Sequence, residues 1–252
     1  MLKRIIFCFI VLFAASGVVF AGSPDEGDGG LHIVVATDAT WPPMEYIDSS
    51  KDIVGFDIDL MKEIAKGGKF TFEFKNTAWD GIFAGLAAGK YDAVMSSVTI
   101  TEERKQQMDF SQSYINAGQI LVVQKSTSGV SVLADLKGKI VAAQIGTTGS
   151  FEIEKVSGVE LKTYDEIGLA FEDLANGRID GVVADTPVAA DFALQSESYK
   201  DKLKIVGEPF TEEFYGIAVQ KGNKEVLDAI NKGLDKVLGT STYAKIEKKW
   251  LR

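Results

Sequence analysis

One nine-residue unit occurs twice. Leu86-Ala87-Ala88-Gly89-Lys90-Tyr91-Asp92-Ala93-Val94 returns, identical or conservatively changed at most positions, as Leu174-Ala175-Asn176-Gly177-Arg178-Ile179-Asp180-Gly181-Val182, 88 residues later. Each copy closes a helix-patterned stretch at a glycine that can take the left-handed cap, then enters an apolar strand. Helix-Gly-strand turns are common enough for chance to produce a pair. Two copies in matching context nevertheless predict a chain built from two related lobes.

The flanking patterns agree. Ile33-Val34-Val35-Ala36 is a short apolar run suited to a strand buried on both faces. Phe56 to Ala65 carries helical spacing, Phe70 to Phe74 alternates with period two, Ile82 to Ala88 is helical and Ala93-Val94-Met95 is strand-like. That order, β-α-β-α-β, calls for a mostly parallel sheet with helices on both faces. Strands at Lys139 to Ala143 and Val159 to Tyr164, with helices near Ser150 to Val156 and Glu166 to Leu174, repeat the plan around the second copy. Strand patterns follow at Lys204-Ile205-Val206 and Tyr215 to Val219, then helices from Lys224 to Leu238 and Thr242 to Trp250. These closing elements are too few for a third domain. They are expected to return to the first lobe, giving lobe 1 as residues 31–118 and 213–252 and lobe 2 as 119–212, with two hinge crossings near Ala117 to Leu121 and Pro209 to Phe214.

The N-terminus reads as an address. Lys3 and Arg4 precede an apolar stretch from Ile5 to Phe20, and Val19-Phe20-Ala21 before Gly22 fits a cleavage site, so residues 1–21 are expected to be a signal peptide. The stretch is short for a spanning helix and contains Ser16 and Gly17. Residues 22–30, with four glycines and no apolar anchor, read as a flexible tether. Cleavage removes Cys8, the one cysteine, and leaves 25 basic against 36 acidic side chains, a net charge of about −11. Nucleic acid and anionic lipid are disfavoured as partners. With His32 the single histidine and no thiol, no metal or cofactor site is expected. The exported chain has enough apolar residues to be stable without disulfides.

In open parallel sheets, ligands bind beyond the carboxyl ends of the strands. The loops there carry Asp38 and Trp41, Ser97 to Thr101, Gln144 to Ser150, and Asp185 before Thr186-Pro187. Thr101 can cap a helix whose first turn holds Glu102 and Glu103, which suit the positive helix end, whereas Arg104 does not. Either Arg104 faces the crevice and clamps a ligand carboxylate with its planar fork, helped by backbone donors near Ser97 and Thr99, or it is a surface residue paired with Glu103. Gly146-Thr147-Thr148-Gly149-Ser150 can bind an anion or simply turn and cap a helix. Asp185 can cap a helix or accept an ammonium, and Asp38 is a turn residue or an acceptor for a ligand side chain. Trp41 and Trp79 can sandwich a side chain or sit in the core. A guanidinium with anion donors on one lobe and a carboxylate on the other would meet both ends of an α-amino acid and favour closure around it.

The sequence resembles the bacterial polar amino-acid-binding proteins of ABC importers, the group containing glutamine-binding and lysine/arginine/ornithine-binding proteins. The resemblance spans nearly the whole exported chain. It rests on Ala36-Thr37-Asp38, Gly55-Phe56-Asp57-Ile58-Asp59-Leu60, Ser97 to Arg104, Gly146-Thr147-Thr148, Asp185-Thr186-Pro187, Tyr215-Gly216-Ile217-Ala218 and the Thr242-Tyr243 to Trp250 stretch. It implies a two-lobed periplasmic-binding-protein fold of type II, a free periplasmic monomer, an L-amino-acid ligand and transmembrane permease subunits as partners. It also implies that Arg104 holds the ligand α-carboxylate with Ser97, Thr99 and Thr148, that Asp185 takes the α-ammonium, and that Trp41 and Trp79 form aromatic walls. Asp38 and Gln144 would contact the ligand side chain, while Gly55-Phe56-Asp57 looks like a structural lead-in to the first helix. Gln144 stands where similar glutamine binders carry lysine, which with Asp38 and two indoles favours arginine, then glutamine. Rival expectations are a dehydratase on the same fold and a ligand-sensing domain.

Overall fold

A computed structural model describes residues 30–251. The expected signal peptide, and all of the expected tether but Gly30, lie outside the described residues. Two five-stranded sheets form the lobes, and they share one topology. In the first, His32–Thr37 runs parallel to both Thr71–Asn76 and Ala93–Val94. Ala218–Gln220 then pairs antiparallel with Ala93–Val94 and with Met108–Phe110. In the second, Ile140–Gln144 is parallel to Glu160–Tyr164 and Gly181–Asp185, and Gln119–Gln124 is antiparallel to Gly181–Asp185 and Leu203–Val206. The fold is the two-lobed α/β arrangement of periplasmic binding proteins.

The repeated unit has a structural cause. Gly89 and Gly177 take φ of 69° and 72°, the left-handed region in which a side chain is strained. The aspartate three residues later ties each turn to the neighbouring strand. Asp92 Oδ2 accepts from Val34 N at 2.8 Å, and Asp180 Oδ2 accepts from Ile140 N at 3.0 Å. Both sheets are covered on both faces at their centres, which is why the central strands read as unbroken apolar runs while the edge strands Thr71–Asn76 and Glu160–Tyr164 are exposed or half-buried throughout. Along His32–Thr37, Ile33 and Val35 enter one buried cluster while Ala36, with half-buried Val34 beside it, joins another.

The chain crosses between lobes twice. Ile115–Asn116 pairs antiparallel with Phe214–Tyr215, and Gln119 and Phe210 share a backbone bond beside them. The expected single strand from Tyr215 to Val219 is divided: Phe214–Tyr215 belongs to the hinge, and Ala218–Gln220 to the first sheet. Lys224–Val237 and Ser241–Trp250 then pack on the helix Phe56–Gly68, where Trp250 Nε1 donates to Asp59 Oδ2 at 2.9 Å. Met108–Phe110 and a small three-stranded sheet of Thr40–Trp41, Glu45–Ile47 and Ile53–Val54 carry no signal in the sequence pattern.

Gly233 sets the distance between two of these helices, because a Cβ there would lie 2.2 Å from Ile64 O. Alanine is a better helix former than glycine by about 1 kcal/mol, but overpacking against backbone costs about 1 to 3 kcal/mol. Gly233→Ala is therefore expected to lower the thermal midpoint by several degrees, and an unchanged or higher midpoint would contradict the close approach.

Candidate functional site

All nine residues singled out in the sequence line one cleft of about 320 Å³ between the lobes: Asp38, Trp41, Trp79, Ser97, Thr99, Arg104, Gln144, Thr148 and Asp185. Glu45, Ser96 and Thr147 join them. Each segment arrives from the carboxyl end of a parallel strand or the loop after it, as the sheet geometry requires.

Arg104 sits in the first turn of the helix Glu102–Gln107, capped by Thr101, whose Oγ1 accepts from Arg104 N at 3.1 Å. Its side chain is not the surface partner of Glu103. Nη1 donates to Thr99 O at 2.9 Å, Nη2 reaches Gly146 O on the other lobe at 3.4 Å, and no carboxylate among the described residues lies within 4.0 Å of the guanidinium. Burial pushes the guanidinium pKa down, while the more distant charges of Glu213, Asp185 and Glu103 push it back up. Its side-chain hydrogen bonds go to carbonyl oxygens alone. Two rings support it, with Cζ 5.5 Å from the Trp79 ring and 5.1 Å from Phe83. Trp79 thus packs edge-on to Phe83 and beside Arg104, an arrangement that differs from a simple pair of indole walls, and Phe83 was not anticipated. Trp41 is buried, with no partner for its indole N–H.

At the opposite end, Asp38 Oδ2 accepts from Trp79 N and from Gln144 Nε2 at 2.9 Å, a bond that crosses between lobes, and Oδ1 accepts from Thr40. Burial raises the Asp38 pKa against these three donors. Gln144 spends its second amide hydrogen on Asp165 O at 2.8 Å. Of these two side chains only Gln144 Oε1 and the remaining lone pairs of Asp38 are left for a ligand, so both accept hydrogen bonds and neither donates, while the unpartnered indole N–H of Trp41 is a donor on the same cleft.

Ser97 has the left-handed φ of 50°, unusual for a residue with a Cβ. Two buried acids hold it there. Ser97 N donates to Asp57 Oδ2 at 3.0 Å, and Ser97 Oγ to Glu45 Oε2 at 3.2 Å, so neither proton is free for a ligand carboxylate. Asp57 is therefore more than a lead-in to its helix. Burial raises it to about 7, and burial together with the Asp57 charge takes Glu45 well above the usual carboxylate range.

Asp185 precedes Thr186–Ala190 at the capping position, yet its side chain makes no cap bond. Instead Oδ1 accepts from Gln119 Nε2 at 3.0 Å. Burial, and then the charge of Glu213, raise Asp185 to about 7. Glu213 and Gln119, both buried in the hinge crossings, were read from sequence only as connecting chain.

Residues 33–252 match the model of the bacterial extracellular solute-binding proteins, family 3. The chain belongs to that family. It is a solute-binding protein and not an enzyme. A probable histidine-binding protein of Neisseria gonorrhoeae is 38% identical over 91% of this chain and 86% of its own length. An ABC transporter arginine-binding protein 1 of Escherichia coli is 38% identical over 84% and 87%. A solved ancestral arginine-binding protein bound to glutamine superposes with a TM-score of 0.81 and 46% identity, covering 87% of this chain and 97% of that one. Among the described residues no helix is long and apolar enough to cross a membrane.

Proposed function

We propose that this solute-binding protein takes an L-amino acid, arginine before any other, into its interlobe cleft and delivers it to the permease subunits of an ABC importer. The observation that carries the ligand choice is the pair of Asp38 and Gln144, whose unspent atoms are all acceptors. A guanidinium brings five N–H donors and no acceptor, so every bond it makes there is satisfied. The carboxamide of glutamine would leave its carbonyl oxygen facing acceptors, and an acidic side chain would meet only like charge. Arg104 then takes the α-carboxylate and Asp185 the α-ammonium, one group from each lobe, which makes closure favourable only with both ends of the zwitterion present. The likeness to an arginine-binding relative supports this reading, while the histidine- and glutamine-binding likenesses name its competitors.

Export through residues 1–21 with cleavage after Ala21, a short tether over 22–30, a periplasmic monomer and lobe boundaries at 118/119 and 212/213 belong to the same reading. Calorimetry of the ligand-stripped protein against the twenty amino acids is expected to rank arginine first and glutamine second, with glutamate silent. Tighter binding of glutamine or an acidic amino acid would sink the ligand choice. Turnover of prephenate or arogenate would sink the functional class.

A further inference from the structure

We infer that Glu213, on the second hinge crossing, is a positioning residue that aims the hydroxyls of Thr99 and Thr148 away from the ligand carboxylate and so makes both of them acceptors for the ligand ammonium. The inference rests on the reading of the cleft as an amino-acid site. Glu213 Oε2 accepts from Thr99 Oγ1 on the first lobe and from Thr148 Oγ1 on the second, each at 2.7 Å. Oε1 accepts from Thr211 Oγ1 at 2.9 Å, which fixes the carboxylate in plane.

A threonine hydroxyl has one proton and two lone pairs. The direction of the Thr148 proton is forced from the far side, where Gln119 Nε2 donates to Thr148 Oγ1 at 3.2 Å. With Asp185 ionised the Gln119 amide cannot be turned over, because the same nitrogen donates to Asp185 Oδ1. The chain of bonds therefore has one polarity, from Gln119 through Thr148 to Glu213, and it is set by a carboxylate at each end. With its proton committed, each threonine presents only lone pairs to the cleft. A ligand carboxylate would be repelled by those lone pairs and is left to Arg104 and backbone amides, while an ammonium finds acceptors at Thr99, Thr148 and Asp185. Glu213 also spans the lobes, so both of its threonine bonds can exist only when the lobes stand close. The alignment of the ammonium site is coupled in this way to closure.

The test compares L-arginine with 5-guanidinopentanoate, the same molecule without its ammonium, by calorimetry on the full chain. Thr148→Val, nearly isosteric, is expected to weaken arginine roughly tenfold and to leave the deaminated acid within about twofold. Equal weakening of both would mean that the hydroxyl serves the carboxylate, and the inference would fall. Glu213→Met removes both acceptor oxygens at nearly the same side-chain length, frees the threonine protons and is expected to cut the preference for arginine over the deaminated acid roughly tenfold. An unchanged preference in a variant that melts normally overturns the inference, and if that variant does not fold, Thr148→Val and Thr99→Val decide it. Should the unmodified protein ignore arginine, the ligand choice fails separately, and the same comparison is made with whichever amino acid binds and its own deaminated acid.

Discussion

Arg104→Ala is expected to abolish arginine binding, weakening it by about two to four orders of magnitude, while leaving the ligand-free protein as stable as before or slightly more so. The two halves of this expectation have one cause. The guanidinium is supported by two carbonyls and two aromatic rings, with no carboxylate among the described residues within 4.0 Å. An incompletely paired cation in a cleft is a cost to the fold, which truncation removes. When a carboxylate arrives, the planar fork can form parallel charge-assisted bonds, and deleting one partner of a buried pair of this kind costs about 3 to 5 kcal/mol. Arg104→Lys keeps the charge but loses the fork, so a smaller loss of about tenfold or more is expected. Calorimetry with a parallel thermal melt separates the outcomes. Binding by Arg104→Ala within tenfold of the unmodified protein would show that the carboxylate goes elsewhere.

Much of the architecture was legible because it is local. The repeated unit encodes a helix end, a left-handed glycine and a strand entry within nine residues, and Asp92 and Asp180 recur because each bonds an amide in the equivalent neighbouring strand of its own lobe. The cleft residues were legible for a second reason, since parallel strands deliver the loops after them to one side of the sheet. What escaped is long-range. Glu213 bonds partners 114 and 65 residues away, and nothing in Thr211-Glu212-Glu213 distinguishes the buried glutamate from its half-exposed or exposed neighbours. Asp57 looked like a helix lead-in because its partners, Ser97 and Tyr114, lie 40 and 57 residues ahead. The short strands Thr40–Trp41 and Ile53–Val54 span two residues each, too few to show any period. A site assembled from strand ends is thus visible in outline, and the groups that orient its protons are not.

Arginine affinity is expected to fall about tenfold per unit as pH is lowered below about 7, and Asp185→Asn is expected to remove that dependence. Burial and the charge of Glu213 hold the ligand-free Asp185 pKa at about 7, so below that pH the carboxyl is increasingly protonated and cannot accept an ammonium as an anion. A bound ammonium stabilises the ionised form and lowers the pKa of the complex. Ligand binding therefore releases a proton: full affinity is present above about 7 and is lost as pH falls toward the lower value in the complex. The same raised pKa acts on the ligand-free fold in the opposite sense. A carboxyl whose folded pKa lies above its unfolded value stabilises the fold at low pH and loses that contribution as pH rises from about 4 to about 7, and Asp57, also at about 7, has the same sign. The unliganded protein should thus melt lower at pH 8 than at pH 5, while the upward shift produced by arginine grows over the same range. In Asp185→Asn the affinity at pH 8 should drop about a hundredfold and approach that of the unmodified protein at pH 5, because a neutral amide resembles the protonated acid. Titrations at pH 5, 6, 7 and 8 on both proteins decide the matter: a flat profile in the unmodified protein, or a slope that survives in Asp185→Asn, would remove Asp185 as the ammonium acceptor and shift attention to Asp38, whose pKa is also raised by burial.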